Sequence, residues 1–169
     1  FYADEPACKQ QLGVVLGGVD FYPNKKLRSI TNVTRTFYDR WDENKYRHYL
    51  SLFALDETKK VSQLSSGMRV KYMLALALSH DARLLILDEP TSGLDPVSRD
   101  ELMELFRGVV QSGERSILFS THITSDLEKC ASHITMIKDG EILHSDTCAG
   151  FLAHYRAQLG DETLSLEDI

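Results

Sequence analysis

The most restrictive feature of this 169-residue sequence is a run of four aliphatic residues, 84–87, followed at once by two carboxylates, Asp88 and Glu89. Such a run is typical of a strand that is buried in a parallel sheet. Ligands bind at the carboxyl ends of these strands in open α/β sheets. Adjacent carboxylates repel each other and are costly to bury, so we expect a cation or a proton beside them. Magnesium on a nucleotide would satisfy this requirement.

The plainer interpretation is that Asp88 and Glu89 only end a strand and begin a turn at Pro90. For an arbitrary acidic pair, that interpretation is the commoner one. The surrounding sequence decides between the two, because other residues suited to phosphate binding follow the neighbouring predicted elements.

Hydrophobic periodicity and chain breakers indicate an α/β fold, with a parallel sheet covered by helices. Residues 11–16 predict a strand that ends at Gly17, and residues 26–55 predict two helices separated near Asp42. An amphipathic helix follows residues 65–67. The other predicted elements are strands at 84–87, 116–120 and 134–137, helices at 96–110 and 125–130, and a hairpin turn at Asp139-Gly140.

Charge and composition exclude several classes of protein. The net charge of −6 argues against broad binding to nucleic acid, which depends on Lys and Arg displacing phosphate counterions. The longest apolar runs are far shorter than the roughly 20 residues that a membrane-spanning helix needs. Three widely separated cysteines show no CxxC spacing, which indicates reduced thiols rather than a zinc site.

Three further places carry candidate site residues, each with a plainer structural interpretation. Residues 64–68 begin a helix, where free amides and the helix dipole favour phosphate, although an ordinary serine N-cap is commoner. Asp95 before Pro96 is also typical of an N-cap. His122 follows a predicted strand and precedes a capping box at 125–128, which predicts that it lies at the same sheet edge as the carboxylates.

Taken in order, residues 64–68, 84–89, 92–95 and 120–122 resemble the signature motif, Walker B, D-loop and switch histidine of ATP-binding-cassette ATPases. The resemblance implies a P-loop NTPase-like sheet core, without its N-terminal part, and an inserted α-helical subdomain. It divides the chain into a strand and Q-loop region (1–25), the helical subdomain with the signature motif (26–80), the RecA-like core (81–160) and a tail (161–169).

The resemblance also implies a role for each matched residue. Asp88 would help to hold Mg²⁺ through its water shell, and Glu89 would be the general base for the water that attacks the γ-phosphate of ATP. His122 would contact that phosphate. Nucleotide held by a second cassette, across a dimer interface, would meet Ser65, Ser66, Gly67, Met68 and Asp95.

Three departures from the family pattern limit these expectations. The ending Ser66-Gly67-Met68 resembles ABC-2 type cassettes of drug or peptide exporters, and Gly17 stands where the Q-loop glutamine is expected. The sequence contains no GxxxxGK[ST] phosphate loop. It is therefore interpreted as a fragment, a partly observed chain or a noncatalytic cassette, with the fragment favoured. We expect exposed apolar surface on the core and negligible ATPase activity from these 169 residues alone.

The function that the resemblance implies is ATP hydrolysis that powers export by a separate membrane permease. The partners would be a second nucleotide-binding domain and that permease, with no nucleic acid, and the location would be the inner face of the cell membrane on the cytoplasmic side. The alternatives are a soluble ATPase outside transport and a noncatalytic partner in a heterodimer. The sequence does not specify the substrate, because substrate specificity lies mostly in the membrane subunit.

Overall fold

The computed structural model describes residues 4–16 and 22–169, and the chain divides into two compact units. The first unit extends to Ser120, and the second comprises Thr121–Ile169. Among the described residues, no helix combines the length and apolar character that a bilayer crossing requires. All three cysteines are described, and no disulfide joins them. Gly17, the position matched to the Q-loop glutamine, lies outside the described residues.

In the described part of the first unit, three parallel strands form a sheet. In spatial order they are β1 (Leu12–Val15), β2 (Leu84–Asp88) and β3 (Ser116–Ser120). Their register places Val14, Ile86 and Leu118 in one row across the sheet. The last residues of β2 and β3, Asp88 and Ser120, are direct neighbours in this register. The α/β class and the strands predicted near 11–16, 84–87 and 116–120 are therefore confirmed.

One face of this sheet is covered by two helices, α4 (Ser66–Ser79) and α5 (Pro96–Val110). Gly13 of β1 allows α4 to approach closely, because a Cβ at this position would lie only 2.7 Å from the Cβ of Ala77. On α5, the Phe106 ring lies 5.9 Å from the Phe119 ring of β3. The helix predicted at 96–110 is confirmed, and its buried residues are Leu102, Met103, Phe106 and Val109.

The opposite face of the sheet carries exposed apolar side chains. Val14 is 45% exposed and Leu118 is 61% exposed, although they lie in the central row of the sheet. Leu16, two residues beyond Val14, is also largely exposed. Exposed apolar surface on the core was expected from the sequence, and it is found on this face.

Ahead of α4, the described part of the first unit contains three shorter helices, α1 (Glu5–Gln10), α2 (Leu27–Thr34) and α3 (Glu43–Leu52). Asp42 caps α3, because its side chain accepts hydrogen bonds from the backbone N–H groups of Asn44 and Lys45. The predicted pair of helices separated near Asp42 is therefore confirmed.

A buried polar network joins these helices to α4. The Thr31 hydroxyl lies 2.7 Å from the Tyr46 hydroxyl and 2.9 Å from the Tyr72 hydroxyl. Tyr46 also donates to the Glu57 carboxylate at 3.2 Å, and Tyr72 donates to the Leu27 carbonyl at 3.0 Å. Burial raises the pKa of both tyrosines, so their hydroxyls keep their protons as donors.

Asp81 joins the helical part to the sheet. It lies between α4 and β2 in a left-handed backbone conformation with φ of 64°. Its carboxylate accepts hydrogen bonds from Arg115 at 2.9 Å, just before β3, and from Lys45 of α3 at 3.3 Å. These bonds, that of Arg115 first, hold the pKa of Asp81 below its ordinary value.

The second unit contains an antiparallel hairpin and two helices. Its elements are α6 (Thr124–Cys130), β4 (His133–Lys138), β5 (Glu141–Thr147) and α7 (Cys148–Leu159). Positive φ angles of 52° at Asp139 and 82° at Gly140 form the predicted hairpin turn between β4 and β5. The expectation that 134–137 belongs to the parallel sheet is wrong, because β4 and β5 form an antiparallel sheet of their own.

The capping box predicted at 125–128 is also wrong. Helix α6 begins one residue earlier, with Ile123 at its N-cap and no capping side chain. Glu128 instead accepts a hydrogen bond from the backbone N–H of Leu166 at 3.0 Å. The segment 161–169, predicted as a tail, packs within the second unit, where Leu166 is buried against Ile134 and Phe151.

Candidate functional site

The carboxylate pair lies where the sequence predicts it, at the carboxyl ends of β2 and β3. The Ser120 hydroxyl donates a hydrogen bond to Oδ1 of Asp88 at 2.7 Å. The same hydroxyl oxygen accepts the backbone N–H of Glu89 at 3.1 Å, and the Ser120 carbonyl oxygen accepts it at 3.2 Å. Because Ser120 is the register partner of Asp88, one residue of β3 holds both members of the acidic pair.

Glu89 has a strained backbone. Its φ of 45° lies in the left-handed region, which costs a residue other than glycine about 1–2 kcal/mol. Strain of this kind persists where surrounding contacts enforce it, and it is concentrated at functional sites. At Glu89 the two contacts to Ser120 enforce it. The turn then continues with a hydrogen bond from the Ser92 N–H to the Glu89 carbonyl.

The predicted signature residues form the start of α4 and contact the loop that follows the carboxylates. Ser65 is the N-cap, with its hydroxyl accepting the Met68 N–H at 3.2 Å. Ser66 donates to the carbonyl of Gly93 at 3.1 Å. Gly67 lies against the next residue of that loop, since a Cβ at Gly67 would lie 3.1 Å from Cδ2 of Leu94. The signature and D-loop segments are thus packed together.

Asp95 caps α5 as the sequence predicts. Its exposed carboxylate accepts the backbone N–H groups of Val97 and Ser98 at 3.1 Å each. Hydrogen bonds from the side chain and then from the backbone N–H of Ser98 hold the pKa of Asp95 below its ordinary value. The capping interpretation is therefore confirmed, and a role at a dimer interface stays a prediction.

His122 belongs to the second unit, in the short segment before α6. Its side chain is exposed. The neighbouring Thr121 hydroxyl accepts the backbone N–H of Ile123 at 3.0 Å, which orders the segment. The role of His122 at a phosphate stays a prediction from the sequence.

The residues at the β2 edge suit magnesium. Mg²⁺ is usually held by one or two carboxylates together with waters and substrate phosphates. Asp88 is exposed. Among the described residues, a hydrogen bond is made to its Oδ1, which leaves Oδ2 available to a cation or its water shell. No group of three or more His, Cys, Asp or Glu side chains in the described chain could form a dedicated metal cage. This donor set fits a cation that arrives with its nucleotide.

A cavity of about 400 Å³ lies elsewhere, in the helical part of the first unit. Its charged lining residues are Arg28, Arg35, Arg47, Glu43 and Glu57. None of the predicted site residues lines it. The candidate site therefore lies outside this cavity.

Sequence reasoning gave no role of its own to Ser120, whose hydroxyl bonds to the Asp88 carboxylate and to the backbone N–H of Glu89. The sequence did contain a signal for this contact. The strands at 84–87 and 116–120 were both predicted, and neighbouring parallel strands of this kind bring Ser120 beside Asp88. The contact of Gly67 with Leu94 carried no such signal, since it depends on tertiary packing.

Comparisons with known proteins identify a matching family and several relatives. The family model described as "AAA domain, putative AbiEii toxin, Type IV TA system" matches residues 20–125. The bacitracin transport ATP-binding protein BcrA of Bacillus licheniformis is 31% identical over 145 residues, which are 85% of this chain and 47% of the relative. The ABC transporter ATP-binding protein YtrB of Bacillus subtilis is 27% identical over 137 residues, 81% of this chain and 47% of the relative.

A solved structure described as the ATP binding subunit of an ABC transporter superposes with a TM-score of 0.78 at 26% identity. The superposition covers 98% of this chain and 70% of that one. The chain spans about half the length of the two curated relatives, 47% of each.

Proposed function

Since the chain belongs to the AAA domain family and is a homologue of ABC transporter ATP-binding subunits, we propose that its protein hydrolyses ATP to power a separate membrane permease. The observation that carries this proposal is the acidic pair fixed by Ser120 at the carboxyl edge of a parallel sheet. Phosphoryl transfer is catalysed mainly by positioning and by stabilising negative charge. The acidic pair would position Mg²⁺ and the attacking water, and bound Mg²⁺ would supply the positive charge.

Within this proposal, Glu89 is the general base. The backbone of Glu89 has a left-handed conformation, and its N–H donates to both the hydroxyl and the carbonyl oxygen of Ser120. The Glu89 carboxylate accepts the proton of the attacking water, while Asp88 presents its open oxygen to the water shell of Mg²⁺. When bound, Mg²⁺ would neutralise charge that develops on the phosphates.

The signature residues serve ATP that is held by a second cassette. Helix α4 is 14 residues long and begins at Ser66, so its free N–H groups and dipole favour an anion there. Ser65 and Gly67 bind the γ-phosphate in this proposal, with Ser66 and Met68 shaping the same loop. Asp95 and His122 complete the interface and the phosphate contact.

Substituting Glu89 by glutamine tests the proposal. In the full-length protein, we expect E89Q to bind ATP normally while hydrolysis falls by roughly 10²–10⁴-fold, the usual contribution of a general base. Glu114→Gln is the matched control, because Glu114 is an exposed loop residue outside the site. Equal turnover by E89Q and wild type would remove Glu89 from this role. A wild-type protein without ATPase activity would instead favour the noncatalytic partner.

A soluble ATPase outside transport is the alternative, and the description of the matching family, which mentions a toxin–antitoxin system, is the observation that favours it. Co-purification after expression with adjacent genes separates the two. A polytopic membrane protein that co-purifies and stimulates ATP hydrolysis supports transport. Stimulation by a soluble partner alone supports the alternative.

The finer parts of the proposal concern direction, location and completeness. The Ser66-Gly67-Met68 ending favours export of a drug, peptide or other small molecule, from the inner face of the cell membrane. We also propose that residues 1–169 alone hydrolyse ATP negligibly, because they contain no phosphate loop of the GxxxxGK[ST] type. Robust hydrolysis by this segment alone would contradict that statement.

A further inference from the structure

Ser120 makes three contacts with the acidic pair, and no role for this side chain follows from the proposed reaction itself. Its hydroxyl donates to Oδ1 of Asp88 at 2.7 Å and accepts the N–H of Glu89 at 3.1 Å. Its carbonyl oxygen accepts the same N–H at 3.2 Å. Ser116, four residues earlier, is exposed at the same face of β3 and is paired with Leu84, which has no polar side chain.

The chemistry of a serine hydroxyl fixes the direction of these bonds. A hydroxyl has one proton to donate and two lone pairs to accept with. The backbone N–H of Glu89 can only donate, so the single hydroxyl proton is directed to Asp88. The resulting O–H to carboxylate bond is charge-assisted, and bonds of this kind are short and strong. A single side chain thereby sets the orientation of Asp88 and the backbone of Glu89.

We propose that Ser120 is a positioning residue that orients Asp88 toward Mg²⁺ and holds the strained turn at Glu89. The inference rests on the proposed function. With Oδ1 held by Ser120, the open oxygen Oδ2 is presented at the carboxyl edge of the sheet. Without the hydroxyl, Asp88 regains rotamer freedom, and the Glu89 N–H loses one of its two contacts to Ser120.

This role predicts a specific loss in metal affinity. Changing a residue that hydrogen bonds to a metal-associated carboxylate typically costs about 10–100-fold in metal affinity or activity. Ser120→Ala should therefore weaken divalent-cation binding by about that factor, and Ser120→Thr, which keeps the hydroxyl, should restore most of it. Ser120 is exposed at the strand end, so both variants should stay folded, although S120A should lower the free energy of unfolding by about 1 kcal/mol for each hydrogen bond that it removes.

The test uses the full-length protein with ATP and Mn²⁺, which takes the same oxygen ligands as Mg²⁺ and is detected by electron paramagnetic resonance. Bound Mn²⁺ is titrated in wild type, S120A, S120T and the control S116A, and the Mg²⁺ dependence of ATP hydrolysis is measured in parallel. We expect S120A alone to shift both curves. In the Asp88→Asn background, adding S120A should cause no further loss of Mn²⁺ affinity, because the carboxylate on which Ser120 acts is gone.

The outcomes separate this inference from the proposed function. Equal Mn²⁺ affinity in S120A and wild type, or an equal shift in S116A, would overturn the positioning role while leaving ATP hydrolysis intact. A wild type that neither binds Mn²⁺ with ATP nor hydrolyses ATP would contradict the proposed function itself. Should S120A unfold, Ser120→Cys replaces the hydroxyl with a weak donor and must give the same shift.

Discussion

The buried network of Thr31, Tyr46 and Tyr72 allows a prediction in which counting protons and counting contacts give different answers. Four contacts exist, two around Thr31, one from Tyr46 to Glu57 and one from Tyr72 to the Leu27 carbonyl. Each hydroxyl has one proton, so three protons fill three of the four contacts. One contact is therefore short of a proton in every arrangement.

Removing one hydroxyl should then cost one hydrogen bond, however many contacts it made. In Thr31→Val, Tyr46 and Tyr72 both keep their outward donations. In Tyr72→Phe, the Thr31 proton turns to Tyr46, which still donates to Glu57. Each change should lower the free energy of unfolding by about 1 kcal/mol, the usual net value of one hydrogen bond. The double variant should lose about 2 kcal/mol, with a coupling energy near zero.

Urea unfolding of the chain measures these values through Trp41, its one tryptophan, whose ring lies 5.3 Å from that of Tyr46. Its fluorescence reports the helical part directly. If each contact contributed separately, the two residues would share one hydrogen bond, and the double-mutant cycle would give a coupling of about 1 kcal/mol. A coupling of that size would refute the proton count.

Two further predictions concern the sheet and its junction with the helices. Gly13→Ala should lower the free energy of unfolding by about 1–3 kcal/mol, because its Cβ would lie 2.6 Å from Cδ2 of Leu85 and 2.7 Å from the Cβ of Ala77. Adding Ala77→Gly should make the double variant more stable than the two separate losses imply, and simple additivity would contradict this packing. Asp81→Asn should lower the free energy of unfolding at pH 7, because it removes the carboxylate that bonds to Arg115. The difference between variant and wild type should shrink as the pH falls through the depressed pKa of Asp81, since the wild type then loses the same charge. Urea unfolding at pH 7 and pH 3 checks this, and a difference that does not change with pH would contradict it.

The strands and the acidic pair could be predicted because their signals are local. The four aliphatic residues before Asp88 and the apolar run before Ser120 define strands by composition alone. The caps at Ser65 and Asp95 also depend only on residues within three positions. These features needed no knowledge of what packs against them.

Two predictions were wrong because the segments concerned could form either of two sets of contacts. The strand near 134–137 could join a parallel sheet or a hairpin, and the turn at Asp139-Gly140 decided for the hairpin. Glu128 had the spacing of a capping residue, but the backbone N–H of Leu166 took its carboxylate. Neither competition is visible in a short window of sequence.

Helix α7 was missed although its ends carry signals. Thr147 caps its start by accepting the Gly150 N–H, and Gly160 ends it with φ of 70°. The segment beyond it has alternating polar residues and scattered leucines, which indicate a loose tail until the burial of Leu166 is known.

The exposed row of Val14 and Leu118 governs how the isolated chain behaves in solution. Apolar patches of this kind promote self-association, and the net charge of −6 opposes it by mutual repulsion. Repulsion between exposed charges is screened over about 8 Å at 0.15 M ionic strength, whereas apolar attraction is not. We therefore expect the purified chain to self-associate more as the ionic strength rises and to stay monomeric most readily in buffers of low ionic strength.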